Sequence, residues 1–464
     1  MFKHKKIIVF TVLLLTLILS VGAISAADDD STSQIDNNDV QVTAESITND
    51  DLVSSTQDNT VQSRPKSIKT DSDNTININK DNYQEQGWVR EDDDNGKFAI
   101  SYYGESSSND VTFVFEDSID DNLNSIIISD GNNITISASP DVTFHNVAFA
   151  ISEASNTTLK NMKINIDDDY VYSLIGYSNI IYIMEDSTGT IIDNVTVDYY
   201  LPEGVDVEYP ASVLDIRSDV EISNSEFIIN TFTSTVEWDP ISGSQYGTND
   251  IMPIRAQNLN GNTYVNFINN NIYINATNES GGFPTLYAMT IGCPNSIIAN
   301  NTIEIHGTGW LYAITSKGDY NQLINNHIYV TGTNYTGGIF IQDASYSLVD
   351  NNTIILEASA EKDEGAMTEP VTYGIVLENY AYKGATYHEG TGNVKNNTIS
   401  NNNITCTANN MYAVEQFGGD NTSVVNNIMV STGETAMGIG IIGANSVITG
   451  NDITVSGLYE NGVT

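Results

Sequence analysis

Apolar and polar residues alternate with a period of two along short runs of this chain, and turn-forming residues end each run. One set of three runs is Met289-Thr290-Ile291, Ile297-Ile298 and Ile303-Glu304-Ile305. The pattern predicts β-strands of about three to five residues, rich in Ile and Val and separated by Gly, Asn and Asp turns. No repeat offers a run with the 3.6-residue period of an amphipathic helix, so a helical solenoid is excluded.

The set of three runs recurs with a fixed period along the chain. The sequence Asn-Asn-x-Ile places Ile303, Ile328 and Ile354 at steps of 25 and 26 residues. A second marker is a small residue before alternating apolar residues. It gives steps of 25 residues through Ala288, Ala313 and Gly338, then 25 from Ala413 to Gly438 and 24 to Gly462. Two markers with one period indicate a repeat protein whose unit holds three strands.

Three strands per turn of about 25 residues predict an all-β fold, a single-stranded parallel β-helix of about twelve coils. Each strand then stacks on its equivalent one coil away, at about 4.8 Å. The handedness of parallel crossovers favours a right-handed coil. The inward positions predicted to form apolar stacks are Ile339, Ile341, Ile375, Leu377, Ile439 and Ile441.

The recurrent asparagines have a physical role in such a coil. Asparagine tolerates the left-handed backbone conformation that a sharp turn between strands requires. Its amide also bonds to the asparagine of the next coil, as a ladder. The Asn-x-Thr sequences inside these turns are potential glycosylation acceptors that the repeat composition generates by itself.

The chain divides into four predicted parts. Residues 1–26 carry three lysines, an apolar stretch and small residues, the pattern of a secretory signal peptide, with a retained anchor as the alternative. Residues 27–82 are acidic and polar and predict a disordered spacer. Residues 83–125 predict an N-terminal cap, and residues 126–464 the β-helix. The last repeat lacks a polar cap, so we expect either truncation at the C-terminus or a covering partner, including further coils or domains.

Charge and cysteine content exclude several functions. The 464 residues contain 17 Lys+Arg against 60 Asp+Glu, a formal net charge of −43, which argues against a nucleic-acid partner. The five histidines are scattered without ligand spacing, so no zinc or copper site is predicted. Cys293 and Cys406 are 113 residues apart, four to five coils, too far for a disulfide. We expect two unpaired thiols.

The Asn-Asn-x-Ile repeat, the three-strand coils and a Lys-rich leader ending in Ser25-Ala26-Ala27-Asp28 resemble the adhesin-like surface proteins of methanogenic archaea. Those proteins are related in fold to the pectate-lyase-like superfamily of right-handed parallel β-helices. The resemblance covers roughly residues 110–464 and the leader, and its motifs are structural. It implies an exported, extracellular or cell-surface protein that binds glycans, envelope components or other cells.

An enzyme is the alternative, a polysaccharide lyase or glycoside hydrolase that acts on an acidic glycan. The predicted register gives one outward row along the first strand of successive coils. The row consists of Tyr182, Asp215 with Arg217, Arg255, Thr290, Thr315, Phe340, Val376, Glu415 and Gly440. Asp215, Arg217 and Arg255 could supply the base of a lyase, or form an ion pair on a sheet surface. The Thr, Phe, Val and Gly of the later coils favour a scaffold or binding role over catalysis.

Aromatic and acidic residues in apparent loops suggest binding sites. The candidates for stacking against sugar rings are Tyr182, Trp238, Tyr246, Tyr380 and Tyr382, with packing over coil edges as the alternative. Asp167, Asp168 and Asp169 form a weak candidate for Ca²⁺. No other cofactor is predicted.

Overall fold

The structure is a computed structural model that describes most of the chain after residue 73. It covers residues 74–463 apart from 94–95, 105–108, 168–178, 201–211, 232–236, 239–244, 247–250, 259–262, 277–284, 334, 360–370, 379, 384–385 and 390–393. These residues belong to the second of two compact units, which spans Lys69–Thr464. The predicted signal peptide and most of the predicted spacer lie outside the described residues.

The described chain winds into a right-handed parallel β-helix with three strands per coil, as predicted. The first strand of each coil belongs to what we call the front sheet, and all its neighbours pair in parallel along the axis. Its members are β3 (Phe98–Tyr103), the first part of β5 (Leu123–Ala138), β7 (Ala148–Ser155), β9 (Ile181–Ile183), β11 (Leu214–Ile216), β16 (Ile254–Ala256), β19 (Thr285–Ile291), β22 (Trp310–Ser316), β25 (Tyr335–Gln342), β28 (Thr372–Glu378), β33 (Asn410–Asp420), β36 (Thr435–Ala444) and β39 (Tyr459–Val463).

Two further sheets complete each coil. The second sheet contains β1 (Thr75–Ile78), β4 (Asn109–Phe115), the second part of β5, the first parts of β8 (Thr158–Ile166) and β10 (Thr190–Tyr200), β12 (Val220–Ser223), β17 (Val265–Ile268), β20 (Ile297–Ala299), β23 (Gln322–Ile324), β26 (Leu348–Asp350), β31 (Thr398–Ser400), β34 (Ser423–Val425) and β37 (Val447–Thr449). The third sheet contains β6 (Thr143–His145), the second parts of β8 and β10, β13 (Glu226–Thr231), β18 (Asn271–Ala276), β21 (Thr302–Gly307), β24 (His327–Gly332), β27 (Thr353–Ala358), β32 (Asn403–Thr407), β35 (Ile428–Thr432) and β38 (Asp452–Ser456).

The N-terminal end is covered by aromatic residues. A 3-10 helix (Tyr83–Gln86) leads into β2 (Trp88–Asp92), which pairs antiparallel with β3. The indole of Trp88 packs edge-on against Phe113 and Phe115, at 5.2 and 5.7 Å between ring centroids. The chain joins the fold earlier than the predicted boundary at residue 83, because β1 already pairs with β4 and Ile78 is fully buried.

The core consists of stacks of equivalent apolar residues along the axis. Ile314, Ile339 and Ile375 pair in successive coils and are fully buried. A small residue occupies the same position in each front strand from β19 to β39. A Cβ built on Gly338 would lie 2.4 Å from the carbonyl oxygen of Gly374 in the next coil, so the close approach of two coils requires glycine there.

The Asn-Asn pairs divide two tasks between their members. The first asparagine has a positive φ, 57° at both Asn300 and Asn325. The second is buried and forms the predicted ladder, in which Asn301 Nδ2 donates to Asn326 Oδ1 at 2.9 Å and to Phe267 O at 2.8 Å. Asparagine thus serves both as a turn former and as an internal hydrogen-bond partner, and this explains its abundance.

Two antiparallel hairpins interrupt the regular coils. One joins β14 (Glu237–Trp238) to β15 (Gln245–Tyr246), between the third sheet and the front sheet. The other joins β29 (Tyr380–Lys383) to β30 (Thr386–Glu389) and begins directly after the front strand β28. Within the described residues, no helix is long and apolar enough to cross a membrane.

Both cysteines are buried free thiols. Cys293 follows β19 and Cys406 lies in the coil that begins with β28, so only three coil steps separate them. The predicted separation of four to five coils was too large because the inserted segments lengthen the chain without adding coils. Three steps are still about 14 Å, beyond the reach of a disulfide.

Candidate functional site

The predicted outward row of the front sheet is confirmed by the strand register. Tyr182, Asp215 and Arg255 pair in successive strands, and the row continues through Thr290, Thr315, Phe340, Val376, Glu415 and Gly440. Most of these side chains are buried, although they point away from the core.

A band of aromatic rings crosses the front face over β19, β22, β25, β28 and β33. Tyr287 stacks on Tyr312 at 5.0 Å, and Tyr373 stacks on Tyr412 at 5.9 Å. Phe340 stands between the two pairs, edge-on to Tyr312 at 4.6 Å and to Tyr373 at 6.1 Å. Phe340 is buried at the centre of the band, and the four tyrosines are partly exposed. The exposed parts of such rings suit the C–H faces of sugar rings.

A glycine makes room for the central ring of this band. Gly337 occupies the position in β25 where β22 and β28 carry Tyr312 and Tyr373. A Cβ at this residue would lie 2.4 Å from Phe340 Cε2. Because Gly337 has no side chain, the Phe340 ring can lie over its backbone and join the two tyrosine pairs.

Two glutamates lie beside the aromatic band on adjacent strands. Glu415 pairs with Val376, and Glu378 follows two residues later on the same face of β28. From the strand spacing and rise, Cα atoms related in this way are about 8 Å apart. Glu415 is 7% exposed, and none of the described residues contacts its buried Oε2 as a hydrogen-bond partner.

Burial raises the pKa values of both carboxyl groups into the neutral range. Burial first, and then the charge of Asp343, raise the pKa of Glu378 to about 7, although the Lys317 ammonium opposes this. Burial and the charge of Glu378 raise the pKa of Glu415 to about 8. Burial and both glutamates also raise the pKa of Tyr373. The pair is therefore coupled, and it can both hold and accept a proton near neutral pH.

The sequence pattern placed Glu415 in the outward row without a role and gave no attention to Glu378. The sequence did contain a signal for Glu378. Alternation along Val376-Leu377-Glu378 turns Glu378 to the same face as Val376, directly before the segment that forms the β29–β30 hairpin. Burial of the two carboxyl groups raises their pKa values, and it depends on packing between strands that a local sequence pattern does not show.

Asp215, Arg217 and Arg255 meet on the same face, as predicted. Oδ2 of the fully buried Asp215 accepts hydrogen bonds from Arg255 Nη2 at 2.7 Å, Arg217 Nη2 at 3.1 Å and Asn179 Nδ2 at 3.2 Å. The Arg217 and Arg255 side chains are 23% and 22% exposed. One carboxylate between two guanidinium groups forms a trio with one net positive charge. A guanidinium stays protonated in proteins, so these groups are charged hydrogen-bond donors.

The candidate sugar-binding aromatics have different surroundings. The ring of Tyr182 is buried, with the Arg217 guanidinium carbon 5.0 Å from its centroid. Trp238 and Tyr246 lie in the β14–β15 hairpin, and Tyr380 and Tyr382 in β29. The side chains of these four lie outside the described residues. Strand β29 begins two residues after Glu378.

The acidic residues proposed for Ca²⁺ are not brought together as a described site. Asp167 forms reciprocal bonds with Asn146, which donates from Nδ2 to Asp167 Oδ1 at 2.6 Å. Asp168 and Asp169 lie outside the described residues. Within the described part of the chain, no group of three or more His, Cys, Asp or Glu side chains is arranged to hold a metal ion.

No protein-family model and no curated protein matches the chain. Among solved structures, it is similar to a PL6 alginate lyase in complex with a trisaccharide, at 13% identity and a TM-score of 0.40, covering 85% of this chain and 89% of that one. It is also similar to a periplasmic alginate epimerase, at 11% identity and a TM-score of 0.33, covering 85% and 84%. A mannuronan C-5 epimerase module of Azotobacter vinelandii matches at 13% identity and a TM-score of 0.29, covering 82% and 90%. These structural neighbours are an alginate lyase, an alginate epimerase and a mannuronan epimerase module.

Proposed function

We propose that this protein is an exported glycoside hydrolase that cleaves a polysaccharide bound across the front sheet. The observation that carries the proposal is the pair Glu378 and Glu415, two neighbouring carboxyl groups with pKa values raised to about 7 and about 8 beside an aromatic band. Export rests on the leader pattern of residues 1–26.

The two carboxyl groups have different roles in this proposal. Glu415 is the more deeply buried and has the higher pKa, so it holds a proton at neutral pH and acts as the general acid on the leaving-group oxygen. Glu378 loses its proton first and acts as the base that activates water. Backbone positions about 8 Å apart are compatible with carboxyl groups separated widely enough to admit that water, as in inverting hydrolases.

An acidic glycan is the substrate class that we propose. The trio of Asp215, Arg217 and Arg255 carries a net positive charge on the same face, and its two guanidinium groups suit a carboxylate of the polymer. Six strand steps separate β11 from β33, about 29 Å along the axis. A polymer that spans several sugar units could reach both clusters.

The proposal is tested by incubating the full chain with polygalacturonate, alginate, xylan and laminarin. We expect reducing ends to appear with at least one polymer, without the absorbance near 235 nm that unsaturated lyase products give. The Glu415→Gln variant should lower the rate about 100-fold or more. Glu304→Gln, at a half-buried position of the third sheet, is the control. Lyase products, or an unchanged rate in Glu415→Gln, would contradict the proposal.

A surface adhesin that binds glycans without cleaving them is the second candidate function. The observation that favours it is the aromatic band itself, which offers sugar-binding surface whether or not a bond is broken. The same experiment separates the two functions, because an adhesin retains the polymer and releases no ends.

A further inference from the structure

Two tyrosines occupy a turn position that asparagine fills in the neighbouring coils. The turn between the front and second sheets holds a residue with positive φ, and its backbone N–H donates to the carbonyl of the turn one coil on. The equivalent residues in successive coils are Asn295, Tyr320, Tyr346, Asn396, Asn421 and Asn445, with φ between 56° and 62°. Left-handed backbone is unfavourable for a bulky side chain and tolerated by asparagine, so the two tyrosines are exceptions to the repeat.

The two rings form an exposed stack on the surface. Tyr320 and Tyr346 are 52% and 50% exposed, and their rings are 4.8 Å apart with an angle of 7° between planes. This spacing matches the distance between coils, so the rings lie one above the other along the axis. One face of Tyr346 is covered by Tyr320. The other is turned toward the next coil, where the shorter Asn396 stands at the equivalent position.

That next coil is the one that carries Glu378. It begins with β28, which Glu378 ends, and Asn396 lies in the turn that follows. The segment before Tyr346 also contacts the strand that carries the glutamate. The backbone N–H of Asp343, three residues before Tyr346, donates to the backbone carbonyl of Glu378 at 2.9 Å. The open face of Tyr346 thus borders the coil in which the proposed base is held.

We infer that Tyr346, supported from behind by Tyr320, is a sugar-binding subsite at the edge of the front sheet. A pyranose ring stacks on the open face of Tyr346, above Asn396, and the glycan crosses from there to Glu378. The subsite recognises the C–H face of a sugar ring and not its charge. The inference rests on the proposed function, because it assigns a subsite to the same glycan.

The turn itself supplies the test, since asparagine is its usual residue. Tyr346→Asn and Tyr320→Asn remove a ring and place the residue that neighbouring coils use in the same backbone conformation. If the rings serve binding, the unfolding temperature of each variant stays close to that of the wild type. Affinity for the best polymer of the panel, measured by electrophoresis in polysaccharide-containing gels, falls about tenfold in Tyr346→Asn and by a smaller factor in Tyr320→Asn.

Two further variants serve as controls. Tyr346→Phe keeps the ring face and should bind as the wild type does. Tyr273→Asn removes a tyrosine that is 39% exposed on the third sheet, and should leave binding unchanged.

Each outcome decides between the claims. Unchanged affinity in Tyr346→Asn, with a wild type that binds, overturns the subsite and leaves the proposed function standing. A marked fall in unfolding temperature without loss of affinity assigns the pair to folding and also overturns the subsite. A wild type that neither binds nor cleaves any polymer overturns both. Weaker binding with full thermal stability supports the subsite.

Discussion

At the scale of single residues, burial in the front face raises the pKa values of two glutamates. Glu378 and Glu415 lie on a protein with a net charge of −43, yet they hold protons in a range where most carboxyl groups have lost theirs. The titratable groups that interact with them are Asp343, Lys317, Tyr312, Tyr373 and Tyr412. Among these, the Lys317 ammonium lowers the pKa of Glu378.

This burial predicts a pH dependence of stability. A carboxyl group whose folded pKa is raised contributes stability that is present below its unfolded pKa, near 4.5, and lost as the pH rises through about 7 and 8. The unfolding temperature of the wild type should therefore fall between pH 4.5 and 8 more steeply than that of Glu378→Gln/Glu415→Gln. Thermal unfolding followed by circular dichroism measures both slopes. Equal slopes would mean that the two glutamates titrate as exposed ones do.

At the scale of elements, the asparagine pairs show what the sequence predicts and what it does not. The period of Asn-Asn-x-Ile predicted the coil, the turns and the ladder, because each is a local consequence of residue type. The same pattern could not show which member of a pair is buried, since both are asparagine. Tyr182 likewise sits at its predicted position in the outward row, but its ring lies under Arg217, a packing outcome of neighbouring strands.

The different roles of the two asparagines in each pair predict that substituting them changes the free energy of unfolding by different amounts. Asn326→Ala removes the acceptor for the backbone N–H and the side chain of Asn301, and the donor to Ile298 O. Buried groups left without partners cost about 1–3 kcal/mol each, so we expect a loss of about 3 kcal/mol in the free energy of unfolding. Asn325→Gly, at the exposed left-handed position, should change it by less than about 1 kcal/mol. Urea unfolding of both variants checks this, and similar losses would refute the division.

At the scale of the whole molecule, the front sheet carries two clusters on one face, and the chain as a whole is strongly acidic. The net positive trio at Asp215, Arg217 and Arg255 is local, and the charge of −43 belongs to the whole chain. Under the proposed function, an acidic polymer is therefore repelled at long range and held by contacts at short range. Screening weakens the long-range term far more than contacts between partly buried groups.

This opposition predicts an unusual response to salt. Raising the ionic strength from about 0.01 to 0.15 M shortens the Debye length from about 30 to 8 Å and removes most of the repulsion. KM for an acidic polymer should therefore decrease as salt is added over this range, and KM for a neutral polymer should stay constant. A KM for the acidic polymer that rises with salt would show that net attraction governs the encounter.

The reactivity of the two thiols shows whether the coils of the β-helix unfold together. Burial raises the pKa of both Cys293 and Cys406 to about 12, and neither is exposed in the folded chain. Both should resist iodoacetamide at neutral pH and become fully alkylated in denaturant without reductant, as measured by mass spectrometry. Rapid alkylation of one thiol in the native protein would reveal coils that open independently.

The pH dependence of kcat/KM for cleavage of the best polymer tests the central claim most directly. With Glu378 as base and Glu415 as acid, the wild type should have a bell-shaped profile with a maximum between about pH 7 and 8. The residual activity of Glu378→Gln should lose the acidic limb, and that of Glu415→Gln the alkaline limb. A profile that changes only near pH 4 to 5, or that keeps both limbs in these variants, would contradict the assignment of the pair as the catalytic groups.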